Sequence, residues 1–425
     1  MSAGGRARPA AERRRHDRAR RRSPRHVVFL VENLSVPLDR RVWNECLTLR
    51  DAGYEVSVVC PRGGRHDRES SATIDGVRIM RYPLPILDVG LGGYIWEYGY
   101  ALSVTLARMA QLWRRRPFDV VHACNPPDLF FLPSGPFRRR GVSFVYDQHD
   151  ANPEIMVAKR GGEVRDGVPE RVVNWAERSS FAAADVVISP NDSYREIALT
   201  RGGRRDEDVF VVRSAPRLDE FALGGLEPFD RRGREHLVGY LGVMGRQDGV
   251  DVLLRATALL VDRGYDILLY LAGSGEMFDE LQQLVVDLGL QDRVLMPGYQ
   301  NPSQFTPVLR HADVCVAPDP PSPFNDISTM NKVIEYMALG RPVVSFDLRE
   351  NRVTGGDVAV FADEATPAGL AAAIRSLLDD PERRRRLGVA GRERFETTLT
   401  WEQSAPVLLR AYARLAEKIG VAGPA

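Results

Sequence analysis

His26-Val-Val-Phe-Leu-Val-Glu-Asn-Leu-Ser-Val-Pro-Leu-Asp-Arg-Arg-Val-Trp-Asn-Glu-Cys-Leu-Thr-Leu-Arg-Asp-Ala-Gly-Tyr-Glu-Val-Ser-Val-Val59 is the stretch on which the fold turns. It opens with an apolar run of strand length to Val31, passes a polar turn from Glu32 to Asp39, and takes up a helical pattern to Leu49. Gly53 stops that helix, and Tyr54–Val59 reads as a second strand. Strand, turn, helix, glycine and strand make a βαβ unit.

The same alternation runs outward along the chain. Further strands are expected at Asp119–His122, Val142–Tyr146, Asp185–Ser189 and Phe210–Arg213. A second series begins at Leu237–Leu241 and continues through Ile267–Leu271, Val294–Met296, Asp313–Ala317, Pro342–Phe346 and Val358–Phe361. Helical patterns lie between them, including 249–261 and 278–288. Strands alternating with helices of about 10–15 residues imply an α/β protein with doubly wound parallel sheets. The aperiodic, Gly- and charge-rich stretch Gly224–Gly233 is the best linker. The expected organisation is a basic tail at 1–25, a first Rossmann-like domain at 26–223, a linker at 224–234, a second Rossmann-like domain at 235–400, and a terminal helical segment at 401–425. That last segment is drawn as packing back on the first domain. Two such sheets face each other across a cleft, and ligands then bind where loops leave the carboxyl ends of the strands.

A chain of 425 residues is long enough for two domains of about 150–200 residues, each with its own core. Its charge is unevenly spread. Residues 1–25 carry ten arginines against Glu12 and Asp17, while the remaining 48 basic and 55 acidic residues leave −7. A run of arginines without apolar periodicity is expected to lack order. Such a tail suits an anionic lipid surface or a nucleic acid, and equally a solubilising extension without a partner; no nucleic-acid partner is expected. No apolar segment of signal-peptide type follows the charges. Cys46, Cys60, Cys124 and Cys315 form no CxxC pair and sit mostly in apolar runs, as small buried hydrophobes in a reducing compartment. The stretch 91–112 is apolar and aromatic and meets Arg114-Arg115-Arg116. Glu97, Arg108 and early glycines argue against a span, which needs about 20 nearly uncharged residues. An interfacial helix and an ordinary packed helix both fit it.

The chemistry is concentrated in Asp319-Pro-Pro-Ser-Pro-Phe-Asn-Asp-Ile-Ser-Thr-Met-Asn-Lys-Val-Ile-Glu-Tyr-Met-Ala-Leu-Gly-Arg-Pro-Val-Val344. It reads as strand end, polar loop, short helix, glycine stop and strand. Met330, Val333, Ile334 and Met337 share one face, while Lys332 and Glu335, three apart, share another. Ser328 or Thr329 is placed to cap the helix. A loop ending in a helix N-terminus presents free amides and partial positive charge to a diphosphate. Lys332 in the first turn is unfavourable for the helix dipole unless an anion joins it. The competing reading is a solvated Lys–Glu pair on a surface helix.

These residues resemble the nucleotide-sugar signature of the family 4 retaining glycosyltransferases, which have the GT-B fold. The resemblance runs from residue 26 to about 418. Asp39-Arg-Arg-Val-Trp43 with Leu49–Val56 is similar to the family's first βαβ unit, and Tyr240-Leu-Gly-Val-Met-Gly-Arg-Gln-Asp-Gly-Val-Asp251 to the opening of its donor domain. Leu271–Gly275 and Met296–Tyr299 look like the loops that follow. The resemblance implies that the first domain binds the acceptor. It implies that Glu335 holds the donor ribose, that Lys332 and the amides near Ser328, Thr329 and Met330 hold the diphosphate, that Tyr299 lies by the base, that Gly242 belongs to the donor loop, and that His149 lines the sugar site. The chain also departs from the pattern. The first of the family's two acids falls on Ile327, leaving Asp326 or Asp319 to substitute. The diphosphate-clamping Arg and Lys fall on Val243 and Asp248, with Arg246 between them as a replacement. The glycine pair after the first strand is missing, and Arg40 or Arg41 is left to face the cleft.

The implied activity is retaining, hexosyltransferase-type transfer from a nucleoside-diphosphate sugar, UDP ahead of GDP, to a hydroxyl of a glycan, lipid-linked or small-molecule acceptor. Attack on the face that the diphosphate leaves is expected, with helix amides, Lys332 and Arg246 neutralising the leaving group. No metal and no cofactor are expected, and the chain is placed in the cytoplasm or at the inner face of an anionic membrane. Two rivals stand: a nucleotide-sugar 2-epimerase, for which only His149 and His122 offer histidines, and a non-catalytic sugar-nucleotide-binding protein of the same fold. A dehydrogenase is not expected, because no strand is followed by GxGxxG.

Overall fold

The computed structural model describes residues 26–63, 67–84, 90–160, 162–221, 224–225 and 228–419. The basic tail at 1–25 lies outside the described residues.

Two sheets organise the chain. The first contains β1 (His26–Leu30), β2 (Glu55–Pro61), β3 (Ser71–Ile74), β4 (Val77–Tyr82), β5 (Val120–Cys124), β6 (Ser143–Asp147), β7 (Val186–Ser189) and β8 (Val209–Val211), in the order β3-β4-β2-β1-β5-β6-β7-β8. The second contains β9 (His236–Leu241), β10 (Ile267–Ala272), β11 (Val294–Gly298), β12 (Val314–Ala317), β13 (Val343–Phe346) and β14 (Ala359–Ala362), in the order β11-β10-β9-β12-β13-β14. Among the described residues only the β3–β4 pair is antiparallel. The winding reverses between β1 and β5 in one sheet and between β9 and β12 in the other. Those are the two points where loops diverge and leave a crevice.

The βαβ reading of 26–59 matches what forms. Asp39 caps the helix Arg40–Asp51, its carboxylate accepting the Val42 amide at 3.1 Å. Val42, Cys46 and Leu49, on one helical stripe, are fully buried against the sheet. The hairpin β3–β4 was not expected from the sequence. Its signal is the pair Asp75-Gly76, both with positive φ (46° and 80°), the turn conformation that suits a two-residue hairpin.

Each sheet carries apolar layers on both faces. The chain leaves the first sheet, builds the second domain and returns. The helix Trp401–Lys418 lies on the first sheet, burying Trp401, Leu408, Tyr412 and Leu415 there. Its Trp401 indole donates to Thr48 Oγ1 at 2.8 Å, and the Tyr412 hydroxyl sits 2.9 Å from His122 Nδ1. All four cysteines are buried and unpaired.

The aromatic stretch forms the helix Gly90–Arg115. Ala101, Thr105, Met109 and Leu112 turn into the domain, whereas Trp96 is 50% and Leu106 38% exposed. The helix is therefore packed along one stripe and presents apolar groups on another. Among the described residues no helix is long and apolar enough to cross a membrane.

Candidate active site

The loops that follow β1, β6, β9 and β12 converge on a cavity of about 490 Å³ between the two sheets. One wall is the helix Asn331–Ala338. Every residue from Lys332 to Ala338 is buried, Glu335 being 5% and Lys332 7% exposed. That excludes a solvated Lys–Glu pair. The sequence spacing identified one apolar face, but the helix is wedged between β9, β12, β13 and the helix Pro381–Thr398, so its polar face is covered as well.

Glu335 lines the cavity and receives a hydrogen bond from Arg40, which reaches across from the first domain. Lys332 does not point out of the helix start. Its ammonium turns inward to Asp319 Oδ1 at 2.6 Å, lies 3.6 Å from Asp248 and sits 5.0 Å from the Tyr240 ring centre. Burial alone would push the ammonium down, and the two carboxylates outweigh it and hold it above the usual lysine range. Burial, only partly offset by Lys332, raises the Asp248 carboxyl. The lysine expected to face the diphosphate is thus already balanced behind the cavity wall.

Other expected residues are placed differently from the sequence reading. Arg246 points to solvent, two-thirds exposed and 3.3 Å from Glu280, and does not line the cavity. Asp326 turns the other way, its carboxylate accepting the Arg349 amide at 2.9 Å. Tyr299 is 61% exposed and lies outside the cavity lining. Gly242 lies behind the wall: a Cβ there would meet the Tyr240 hydroxyl at 2.8 Å and Lys332 Cε at 3.0 Å, so it makes room for the lysine. Neither Ser328 nor Thr329 caps the helix. Met330 is the N-cap residue and makes no side-chain cap bond, because the Ser328 hydroxyl donates to Phe324 O and the Thr329 hydroxyl accepts from Asn191 at 3.0 Å. Ser328, Thr329 and Met330 do line the cavity, at the mouth of a helix whose first amides lack a side-chain acceptor.

On the opposite wall His149 follows β6 and reaches the cavity. Its Nε2 lies 2.6 Å from Asp147 Oδ2 and 3.1 Å from Arg41 Nε. One nitrogen cannot both donate to the carboxylate and accept from the guanidinium, and the shorter contact to an anion favours donation to Asp147. Nδ1 is then left without a hydrogen-bond partner among the described residues. Asp147 also accepts from Arg41 at 2.7 Å, and Glu45 lies 3.3 Å from the same guanidinium. Burial would raise Asp147; Arg41 and His149 overcome it and hold the carboxyl well below the usual range. Burial and the Asp147 charge push Glu45 well above it, against the pull of Arg41. Burial pushes His122 down despite Asp147. Glu45, His122, Cys124 and Asp147 present ligand-type atoms within 4.8 Å of one another, but the buried Arg41 guanidinium already supplies the cation of that cluster.

Residues 38–214 match the family model described as "Glycosyl transferase 4-like domain", and residues 235–380 match "Glycosyl transferases group 1". The D-inositol 3-phosphate glycosyltransferase of Thermomonospora curvata is 33% identical over 299 residues, covering 65% of this chain and 67% of that one. The chain is a family 4-type glycosyltransferase. The 2-deoxystreptamine glucosyltransferase of Streptomyces kanamyceticus is 25% identical, over 80% of this glycosyltransferase and 89% of its own length. Sucrose-phosphate synthase of Thermosynechococcus elongatus superposes with a TM-score of 0.75 at 19% identity, covering 93% of this chain and all of that one (100%). HepE of Anabaena in complex with UDP gives 0.63 at 14%, covering 93% and 99%. Those likenesses identify the architecture as GT-B, and the glycosyltransferase is a hexosyltransferase-type enzyme.

The buried network gives a paired prediction. Asp147→Asn strips Arg41 of its charged partner and should cost about 3–5 kcal/mol, seen as a lower denaturation midpoint. Glu45→Gln replaces a carboxyl that burial and Asp147 push towards its protonated form and should cost less than Asp147→Asn. Because the folded chain holds the Glu45 proton more tightly, the stability tied to it is full below the ordinary glutamate range. It is lost as pH climbs through the folded value. Glu45→Gln should remove that loss; equal destabilisation by both variants would contradict this charge assignment.

Proposed function

We propose that this glycosyltransferase transfers a hexosyl group with retention from a nucleoside-diphosphate sugar to a hydroxyl of a glycan, lipid-linked or small-molecule acceptor. The observation that carries the reading is the Glu335 carboxylate, nearly buried yet opening on the cavity, one turn inside a helix whose uncapped amides face the same space. A carboxylate there suits the paired hydroxyls of a ribose. The amides at the start of the helix then sit where the adjoining diphosphate runs, stabilising charge as it develops on departure. His149, oriented by Asp147, faces them from the acceptor side with Nδ1 free for the sugar.

Among the described residues the other carboxylates of the cavity are engaged: Asp319 and Asp248 by Lys332, Asp39 as the cap of its helix, and Asp150 in a contact of its own. Attack by the acceptor hydroxyl on the face that the diphosphate leaves follows from this, with a diphosphate oxygen taking the proton. UDP is put ahead of GDP because HepE is seen with UDP and with UDP-glucose. We also propose that turnover needs no metal ion.

Catalysis is proposed to occur in the cytoplasm, with peripheral contact to the inner face of an anionic membrane through Trp96 and Leu106, backed by Arg114 and Arg115 at the end of the same helix. Flotation with phosphatidylglycerol vesicles should recover the wild type and lose most of a Trp96→Ala/Leu106→Ala variant. Equal recovery of both would remove this face from the contact.

Thermal-shift titration with UDP, GDP, ADP and dTDP, with and without Mg²⁺, tests the donor site. One of them at a hundred times its Kd should add about 2.7 kcal/mol of stability, without metal, and Glu335→Ala should abolish the gain. An unchanged melting point for all four would defeat the assignment.

A further inference from the structure

The cleft has a charge problem that its second domain does not solve. Asp39, Asp150, Asp248, Asp319 and Glu335 all line it; Lys332 behind the wall serves Asp319 and Asp248, and the lining itself holds two guanidiniums, Arg40 and Arg41. A nucleoside diphosphate adds further negative charge. The positions from which related chains are expected to clamp the phosphates hold Val243 and Asp248, Arg246 points away to Glu280, and Lys332 is held by Asp319. The loop after β1 lacks the glycine pair that would bring its backbone to a phosphate.

Arg41 is committed too. It is 8% exposed, donates to Asp147 at 2.7 Å and to Val212 O at 2.8 Å, and its Nε lies 3.3 Å from Glu45. Arg40 differs. It is the first residue of its helix, its side chain is 45% exposed, and its hydrogen bond goes to one partner, Glu335 of the other domain. A guanidinium has five N–H donors in a planar fork suited to phosphate oxygens, and here most of the fork is unused.

We propose that Arg40 is the residue that neutralises the donor diphosphate, supplied by the acceptor domain and resting on Glu335 while the cleft is empty. This rests on the reading of Glu335 as the ribose acceptor. When ribose hydroxyls take the carboxylate, the guanidinium is released beside the phosphates, which adjoin the ribose, and one change of side-chain rotamer exchanges the partners. Because Arg40 rides on the first domain, donor binding also ties the two domains across the cleft, and the cation is present at the leaving group only when both walls are in place.

The test compares wild type, Arg40→Gln and Arg40→Lys by calorimetric titration with UDP, GDP and ADP and with uridine, guanosine and adenosine. Thermal melts without ligand serve as the folding control. With the diphosphate that wild type binds, Arg40→Gln should raise Kd about ten-fold or more, and Arg40→Lys should raise it less. The matching nucleoside should bind as well as before or more tightly, since Glu335 no longer has a competitor. If diphosphate and nucleoside change together, or neither changes, Arg40 does not hold the phosphates, and the donor site at Glu335 still stands. If no diphosphate binds the wild type, the donor-site reading fails and the Arg40 proposal fails with it.

Discussion

Lys332 and Asp319 meet where neither would be tolerated alone. Both are nearly excluded from solvent, and breaking such a pair by removing one partner costs about 3–5 kcal/mol. Their contact fastens the helix Asn331–Ala338 to the loop after β12, with the Tyr240 ring of β9 under the ammonium and Gly242 leaving space for the lysine stem. Once the helix is fixed in this way, Glu335, one turn further on, can only face the first domain. The position of Glu335 thus depends on an ion pair whose ammonium stays behind the cavity wall while its carboxylate, Asp319, reaches the lining.

The first domain answers with arginines. Arg40 and Arg41 are neighbours at the start of one helix, and the turn of that helix sends them to different work. Arg41 goes inward to Asp147 and Glu45, where it fixes the orientation of His149 through the shared carboxylate. Arg40 goes outward to Glu335. Beneath them His122, stacked on Phe29 with ring centres 4.2 Å apart, connects to the Tyr412 hydroxyl. The terminal helix, which follows the second domain in sequence, is therefore built into the floor of the first domain's side of the cleft. Movement of one domain against the other has to respect that tie, as well as the contacts of Asn191 with Ile327 and Thr329 and of Ser193 with Glu350.

Much of this architecture is legible in the sequence because strand and helix periods report local burial. The βαβ unit at 26–59, the alternation of the second half and the short helix around Glu335 all follow from such patterns. The hairpin at 71–82 was legible too, through Asp75-Gly76, but its short strands lie outside the βα alternation that organised the reading. The roles of the charged residues were less legible. Spacing puts Lys332 and Glu335 on one side of a helix but does not say that Asp319, thirteen residues earlier, and Asp248, from another loop, converge on the lysine. Arg246 and Asp326 lie close in sequence to motif positions, yet each finds a partner outside the cleft, Glu280 and the Arg349 amide. Glu335 and His149 were placed by motif and strand end, and both reach the cavity.

A crystal structure of the chain with the tightest-binding nucleoside diphosphate would test the central claim most directly. The account predicts ribose hydroxyls within hydrogen-bond distance of Glu335, the phosphates at the mouth of the helix Asn331–Ala338, and the Arg40 guanidinium moved from Glu335 to a phosphate oxygen. A nucleotide bound elsewhere, with the Arg40–Glu335 pair intact, would contradict it.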